Sequence, residues 1–103
     1  MPNKNYIRGY IKENQAVNEL KEQGYHAFRS AGSKGVFDVL ALNGDSILAI
    51  QVKRVKIPCN SQSRFKSDLE AIRAAQVPPG VQKQLWVWED RKGWSKIVVG
   101  NGL

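Results

Sequence analysis

The sequence predicts an α/β domain in which two helices flank a mixed sheet of about five strands, in the order α-β-β-β-α-β-β. Apolar residues recur at helical spacing in two segments, 6–23 and 64–76, while five short segments are rich in aliphatic, β-branched and aromatic residues. With 103 residues, 42% of them hydrophobic, the chain can bury one modest core but not two. We therefore expect residues 1–103 to form a single domain.

The composition favours a polyanionic partner. Sixteen Lys and Arg residues against nine Asp and Glu give a net charge of +7, although a basic ribosomal or membrane-surface protein would have a similar balance. No segment has the length and apolarity of a membrane span, and no signal-peptide pattern opens the chain, so we expect a cytoplasmic or nucleoid-associated protein. The lone Cys59 and lone His26 exclude an internal disulfide and Cys- or His-pair zinc motifs.

The first helix carries an acidic residue on its apolar stripe. Its apolar positions are Tyr6, Tyr10, Ala16, Val17 and Leu20. Gly24 follows as the expected C-cap, and Glu13 falls near the middle of the stripe. Because an unpaired buried carboxylate costs several kcal/mol, Glu13 should meet a metal, a lysine or another donor, unless it extends to solvent at the rim.

The first hairpin has strands at 36–42 and 47–52, and it follows a short strand at 25–29 and a Gly- and Ser-rich loop. Asp38 and Gln51 are polar positions within its strands, and Lys53 comes directly after the second. A turn closed at Asn43-Gly44 puts Asp38 opposite Ala49, and a loop two residues longer puts it opposite Gln51. Side chains alternate with period 2, so either register places Asp38, Gln51 and Lys53 on one face.

An acid, an amide and an ammonium group at the edge of a core favour a divalent-metal phosphodiesterase centre. Carboxylate and carbonyl oxygens hold Mg²⁺ or Mn²⁺ in such centres, and a lysine lies beside the attacking water and the scissile phosphate. The alternative is a buried Asp–Lys pair that only fixes the strand register.

The second half of the chain begins with a basic segment, Lys53 to Lys66, which contains Arg54, Lys56 and Arg64 and has no acid until Asp68. Such a segment could follow a phosphate backbone or be a solvated loop. A second helix then leads into a second hairpin, formed by residues 84–88 and 94–99. Its three tryptophans suit a core or a subunit interface better than base stacking.

Several short motifs occur along the chain in a fixed order and spacing: Arg8-Gly9, Glu13, Gly24-Tyr25, Arg29 to Lys34, Asp38, Ile50 to Lys53, and Gly93-Trp94. In combination they resemble archaeal-type Holliday junction resolvases of the PD-(D/E)XK nuclease superfamily. The resemblance implies a restriction-endonuclease-like fold. It also implies an endonuclease dependent on Mg²⁺, with Mn²⁺ as a substitute, that acts as a homodimer and nicks opposed strands of a four-way DNA junction.

Carried over by position, the resemblance makes Glu13 and Asp38 metal ligands and Lys53 the catalytic lysine. Arg29 and Ser33 become active-site or phosphate contacts. We add the Gln51 amide and the Val52 carbonyl to the expected metal ligands. The expected catalytic set is Glu13, Ser33, Asp38, Gln51 and Lys53, and the expected DNA-binding set is Arg8, Arg29, Ser33, Lys34, Arg54, Lys56, Arg64 and Lys66.

The sequence departs from the family pattern at two positions. Gln51-Val52-Lys53 stands where Glu-x-Lys is usual, and Asn14 stands where an arginine often follows the helix glutamate. An amide oxygen can bind Mg²⁺ but adds no charge, so weaker metal affinity is expected. Two alternatives stay open: a non-catalytic DNA-binding module on a nuclease fold, and a related nuclease that acts on flaps, mismatches or duplex DNA.

Overall fold

The computed structural model describes residues 4–30, 36–55 and 65–100, with backbone only for 4–10. The elements are α1 (Lys4–Glu22), β1 (His26–Arg29), β2 (Val39–Leu42), β3 (Ile47–Val55), α2 (Lys66–Ala74), β4 (Val81–Glu89) and β5 (Gly93–Val99). Their order and the mixed sheet confirm the predicted α/β architecture. Neither helix in the described part of the chain is long and apolar enough to span a membrane.

The five strands form one sheet in the order β1-β2-β3-β4-β5. Every neighbouring pair is antiparallel except β3 and β4, which run parallel from Ile47↔Val81 to Val55↔Glu89. A parallel pair needs a crossover connection, and α2 lies within the one that joins these strands. The two central strands therefore end at the same edge of the sheet.

Each face of the sheet has its own hydrophobic cluster. Ala16, Val17 and Leu20 of α1 pack on one face with Ile50 and Trp86. On the other face, Ile72 of α2 packs with Val55, Phe65, Leu85 and Val87. Side chains alternate along β3, so Leu48, Ile50 and Val52 face α1, whereas Gln51, Lys53 and Val55 face α2. We call these the α1 face and the α2 face.

The first hairpin closes through four residues, 43–46, which is the longer of the two loops that the sequence left open. The Asn43 side chain is the reason, because its Oδ1 accepts hydrogen bonds from the backbone N–H groups of Asp45 (2.8 Å) and Ser46 (2.7 Å). The resulting register, Val39↔Ile50, brings Asp38 level with Gln51. This register, like that of the two-residue turn, keeps the alternation by which the sequence groups Asp38, Gln51 and Lys53.

Several boundaries differ from the expected ones. β2 begins at Val39 instead of Val36, because Val36 and Phe37 pack into the cluster of the α2 face. α1 ends as expected, with Gly24 at φ 96°. α2 ends at Ala74, and the buried Lys83 ammonium donates to the Arg73 and Ala75 carbonyls at 2.9 and 3.1 Å. Nothing in the sequence pattern indicated this role for Lys83.

The tryptophans of the second hairpin pack mainly within the chain. Trp86 is buried, and Trp94 makes edge-to-face contacts with Trp86 and Trp88 at centroid distances of 5.5 and 5.3 Å. On the same face the Lys12 ammonium lies 3.7 Å from the centroid of the Trp88 ring. These contacts agree with the core interpretation of the three side chains.

Candidate active site

Asp38 is fixed at the entrance to β2 by three hydrogen bonds. Its N–H donates to the Ile50 carbonyl and its carbonyl accepts from the Ser30 N–H, both at 2.8 Å. Its Oδ2 accepts from the Val52 N–H at 2.9 Å. The carboxyl group is thus held against the middle of β3 instead of pointing freely into solvent.

The surroundings of Asp38 favour a positive charge. Burial raises the pKa of the Asp38 carboxyl above its usual value. The Val52 hydrogen bond opposes that shift, the nearby Glu13 carboxylate raises the pKa further, and Lys53 and Arg29 lower it. A desolvated carboxyl with a second acid close by is typical of a functional site, because a bound cation would favour its ionised form.

Glu13 reaches this region from α1 and is paired with Arg29 at the end of β1. The Arg29 Nε donates to the Glu13 Oε1 at 3.0 Å, and the two side chains are 23% and 21% exposed. The expectation that Glu13 meets a donor is met by this guanidinium group. The Glu13 carboxylate is also close enough to Asp38 to raise the pKa of that carboxyl.

Gln51 carries a buried amide oxygen without a partner. Among the described residues, the buried side-chain oxygens that accept no hydrogen bond are Glu19 Oε2, Gln51 Oε1 and Glu89 Oε2. The two carboxylate oxygens lie 2.7 Å from the Lys96 ammonium and 3.9 Å from the Lys92 ammonium, respectively. Gln51 Oε1 belongs to a neutral amide, and no hydrogen bond from the described residues offsets its cost of desolvation.

Lys53 lies two residues beyond Gln51 on the α2 face. Its ammonium is 3.3 Å from Asp68 Oδ1 in the first turn of α2, and its side chain is 41% exposed. Lys53 also acts electrostatically on Asp38. The sequence did not indicate Asp68, because its position depends on how α2 lies against β3.

The expected DNA-binding residues do not form one continuous surface in the described structure. Arg54 lies on the α1 face, where its Nη2 and Nε contact the Asp90 carboxylate at 3.1 and 3.4 Å. Lys66 is exposed at the first position of α2. Ser33, Lys34, Lys56, Cys59 and Arg64 lie outside the described residues, and Arg8 is described by its backbone alone.

The described residues contain no group of three His, Cys, Asp or Glu side chains suited to hold a metal ion. At the level of Asp38 on the neighbouring strand, the residue is Gln51, whose amide is not among these four residue types. The oxygen ligands available there are two carboxylates and one amide. Such a set suits Mg²⁺ or Mn²⁺ better than a transition metal that prefers nitrogen or sulfur.

The mixed sheet brings an acid, an amide and a lysine together on adjoining strands, which is the arrangement that the sequence predicts for an α/β nuclease. The family model for the archaeal Holliday junction resolvase (hjc) matches residues 4–74. The chain therefore belongs to the archaeal Holliday junction resolvase family, which confirms the resemblance found in the sequence. The matched range includes Glu13, Asp38, Gln51 and Lys53 but not the second hairpin.

A solved structure agrees with this assignment of the fold. Hjc of the archaeal hyperthermophile Archaeoglobus fulgidus, a Holliday junction resolvase, is 24% identical, with a TM-score of 0.63 over 89% of this chain and 73% of that one. A search of curated proteins gives no match. By its family, the chain is a structure-selective nuclease that cleaves DNA junctions, in a group that generally depends on divalent metals.

Proposed function

We propose that this chain is a Mg²⁺-dependent endonuclease that acts as a homodimer and makes paired nicks in four-way DNA junctions by phosphodiester hydrolysis. The observation that carries the proposal is the buried, unpartnered Gln51 Oε1 at the level of Asp38. An acceptor left in this way costs about 1–3 kcal/mol. A cation bound between the amide and the carboxyl would offset that cost.

The ligands for the ion would be Glu13, Asp38, Gln51 and the carbonyl of Val52. All four supply oxygen, which Mg²⁺ prefers and Mn²⁺ accepts. When bound, the ion acts as a Lewis acid that stabilises the charge developing on the phosphate. The raised pKa of Asp38 supports this ligand set, because the carboxyl lacks enough positive charge within the chain to offset its burial.

Among the chain's own groups, Lys53 would act on the reacting atoms. Its ammonium would orient the attacking water and stabilise the additional negative charge of the transition state. Arg29 would hold Glu13 in place through their hydrogen bond. Ser33 remains a predicted catalytic and DNA-contacting residue, and it lies outside the described structure.

DNA would be held mainly through its phosphates, because the chain carries a net charge of +7. We propose Lys66 as the first contact on the described surface, and Arg8, Ser33, Lys34, Lys56 and Arg64 as further contacts. Arg29 and Arg54 are weaker candidates, since their guanidinium groups are already paired with Glu13 and Asp90.

A homodimer follows from the substrate, because a four-way junction presents two scissile strands and each chain offers one candidate site. The sequence suggested α2 or the tryptophan hairpin as the contact. Val98 on that hairpin is 61% exposed, and we propose as a further candidate the part of the α2 face on β1 to β3, where Phe28, Leu42 and Ile47 are 47%, 37% and 41% exposed. A Phe28→Glu variant that sediments as one chain, beside a dimeric wild type, would support it.

The deciding experiment is cleavage of a synthetic four-way junction beside a linear duplex of the same sequence, with Mg²⁺ and with EDTA. We expect nicks in two opposed strands, only with the metal, and a loss of more than about 10³-fold for Asp38→Asn. Comparable cleavage of the linear duplex would favour a nuclease of other specificity. Tight junction binding without cleavage in any metal would favour a DNA-binding module, in which Gln51 marks a lost ligand.

A further inference from the structure

An acidic residue that has no part in the proposed metal centre contacts the proposed catalytic lysine. The Asp68 Oδ1 lies 3.3 Å from the Lys53 ammonium, and the Asp68 side chain is only 22% exposed. Lys53 also acts electrostatically on the Asp38 carboxyl, so a second acid is close to its ammonium. The sequence places Asp68 fifteen residues later, on a different element.

The helix that carries Asp68 is anchored firmly to the sheet. Ile72 is fully buried, and Phe65, which precedes the helix, is in the same cluster. At the other end of α2, the buried Lys83 binds the Arg73 and Ala75 carbonyls. Asp68 itself lies in the first turn, where the helix dipole favours an acid. The position of its carboxylate is therefore set by the core and not by the lysine.

The contact contributes little to stability, because ion pairs between half-exposed side chains are weak. Its main effect is on the orientation of the Lys53 side chain. A lysine side chain is flexible and carries its charge at the end of a long stem, so it has many orientations unless another group restricts it. A fixed carboxylate close to the ammonium restricts that freedom before DNA arrives.

We propose that Asp68 is a positioning residue, which holds the Lys53 ammonium beside the Gln51–Asp38 site so that it meets the scissile phosphate in a productive orientation. This inference rests on the proposed function, specifically on Lys53 as the catalytic lysine. Asp68 contacts no reacting atom. Its contribution is to the alignment of Lys53, and errors of alignment are costly for catalysis.

The test is Asp68→Asn, which keeps the shape of the side chain and removes its charge. In single-turnover cleavage of a four-way junction at saturating protein, the rate should fall about tenfold, while junction affinity stays within about twofold of the wild type. Asp68→Glu should recover most of the rate. Glu70→Gln is the matched control, because it removes one exposed negative charge from the same helix and should leave the cleavage rate unchanged.

General electrostatics predicts the opposite result. Removal of a negative charge near a phosphate backbone should tighten DNA binding and leave cleavage equal or faster. That outcome overturns the inference. A second contrary outcome is a weaker affinity of Asp68→Asn for Mn²⁺ in calorimetry, because it would make Asp68 a metal ligand. In the Lys53→Ala background, Asp68→Asn should cause no further loss, and a full additional loss would show that it acts elsewhere.

Failure of the proposed function and failure of the positioning role give different results. If the wild type cuts no DNA with any metal, the proposed function fails and the role of Asp68 fails with it. If the wild type cuts, Lys53→Ala does not and Asp68→Asn cuts at the wild-type rate, the function stands and only the positioning role is wrong. Equal thermal unfolding of the two variants and the wild type confirms that the comparison is made between folded proteins.

Discussion

The two faces of the sheet differ in whether their polar side chains have partners within the described structure. On the α1 face, Arg54 is paired with Asp90, and Gln84 accepts a hydrogen bond from the Trp86 indole at 2.7 Å. On the α2 face, Gln51 has a buried oxygen without a partner, and Asp38 at its level has a raised pKa. Two glutamines on adjoining strands thus have opposite surroundings.

This difference separates structure from function within one sheet. A buried polar group that finds its partner in the chain is explained by folding, as Gln84 is. A buried polar group without one indicates a partner from outside, as we infer for Gln51. Apart from Glu13 and Arg29, which belong to the proposed metal centre, substitutions on the α1 face should therefore affect stability more than chemistry, and substitutions around Gln51 should do the reverse.

The strongest test of this division compares a lysine from each face. Lys53→Ala should lower the cleavage rate about 10²- to 10³-fold, because its charge acts mainly in the transition state. Lys96→Ala, on the α1 face beside Glu19, removes the same charge and should leave the rate nearly unchanged. Single-turnover cleavage and junction binding are measured for both. Equal losses of binding and cleavage in Lys53→Ala would make Lys53 a DNA contact only.

The two glutamines provide the next test. Gln51→Glu adds a charge to the proposed ligand set and should lower the Mg²⁺ concentration for half-maximal cleavage about tenfold. Gln84→Glu, the same change on the α1 face, should lower the melting temperature but leave the Mg²⁺ requirement unaltered, because it buries a charge beside Trp86. Magnesium titrations of both variants decide this, and an unchanged requirement in Gln51→Glu would exclude Gln51 as a ligand.

The sequence alone predicts the parts of the candidate site that depend on local periodicity. Asp38, Gln51 and Lys53 could be placed on one face without knowing the turn, because a loop longer by two residues preserves the alternation of side chains. Glu13 was found because a carboxylate on an apolar helical stripe requires a partner. In both cases the inference needed only neighbouring residues.

The contacts that sequence reasoning missed join elements that are distant in the chain. Asp68 meets Lys53, and Lys83 binds the end of α2, only because of the way α2 crosses the sheet. No periodicity within α2 determines that crossing. The sequence left two loop lengths open for the first hairpin. The Asn43 side chain decides between them, since it accepts hydrogen bonds from the loop backbone and stabilises the longer connection.

Acid titration offers a test on the metal-free protein. Burial raises the pKa of Asp38 in the native state, so the native protein keeps this proton to a higher pH than the unfolded chain does. Ionisation of Asp38 therefore lowers the stability of the native protein. The full loss applies at pH values above the native pKa, and there is no loss at pH values below the pKa of the unfolded chain. In EDTA, Asp38→Asn should melt a few degrees above the wild type at neutral pH, and the difference should vanish in acid. Asp90→Asn, which loses the Arg54 pair, should not melt higher.

The smallest expected effect concerns the two basic residues on either side of the sheet, Arg54 and Lys66. Removal of one phosphate-binding side chain should reduce the slope of log K against log salt by up to about 0.9. Lys66, exposed at the start of α2, should show most of that reduction when changed to alanine. Arg54→Ala should show less, because Asp90 already holds its guanidinium, and should lower the free energy of unfolding by no more than about 1 kcal/mol. Fluorescence anisotropy of a labelled junction across a salt series measures both slopes.

An equal reduction for Arg54→Ala would mean that Arg54 leaves Asp90 when DNA binds. The α1 face would then belong to the DNA interface, and the division between the faces would be incomplete.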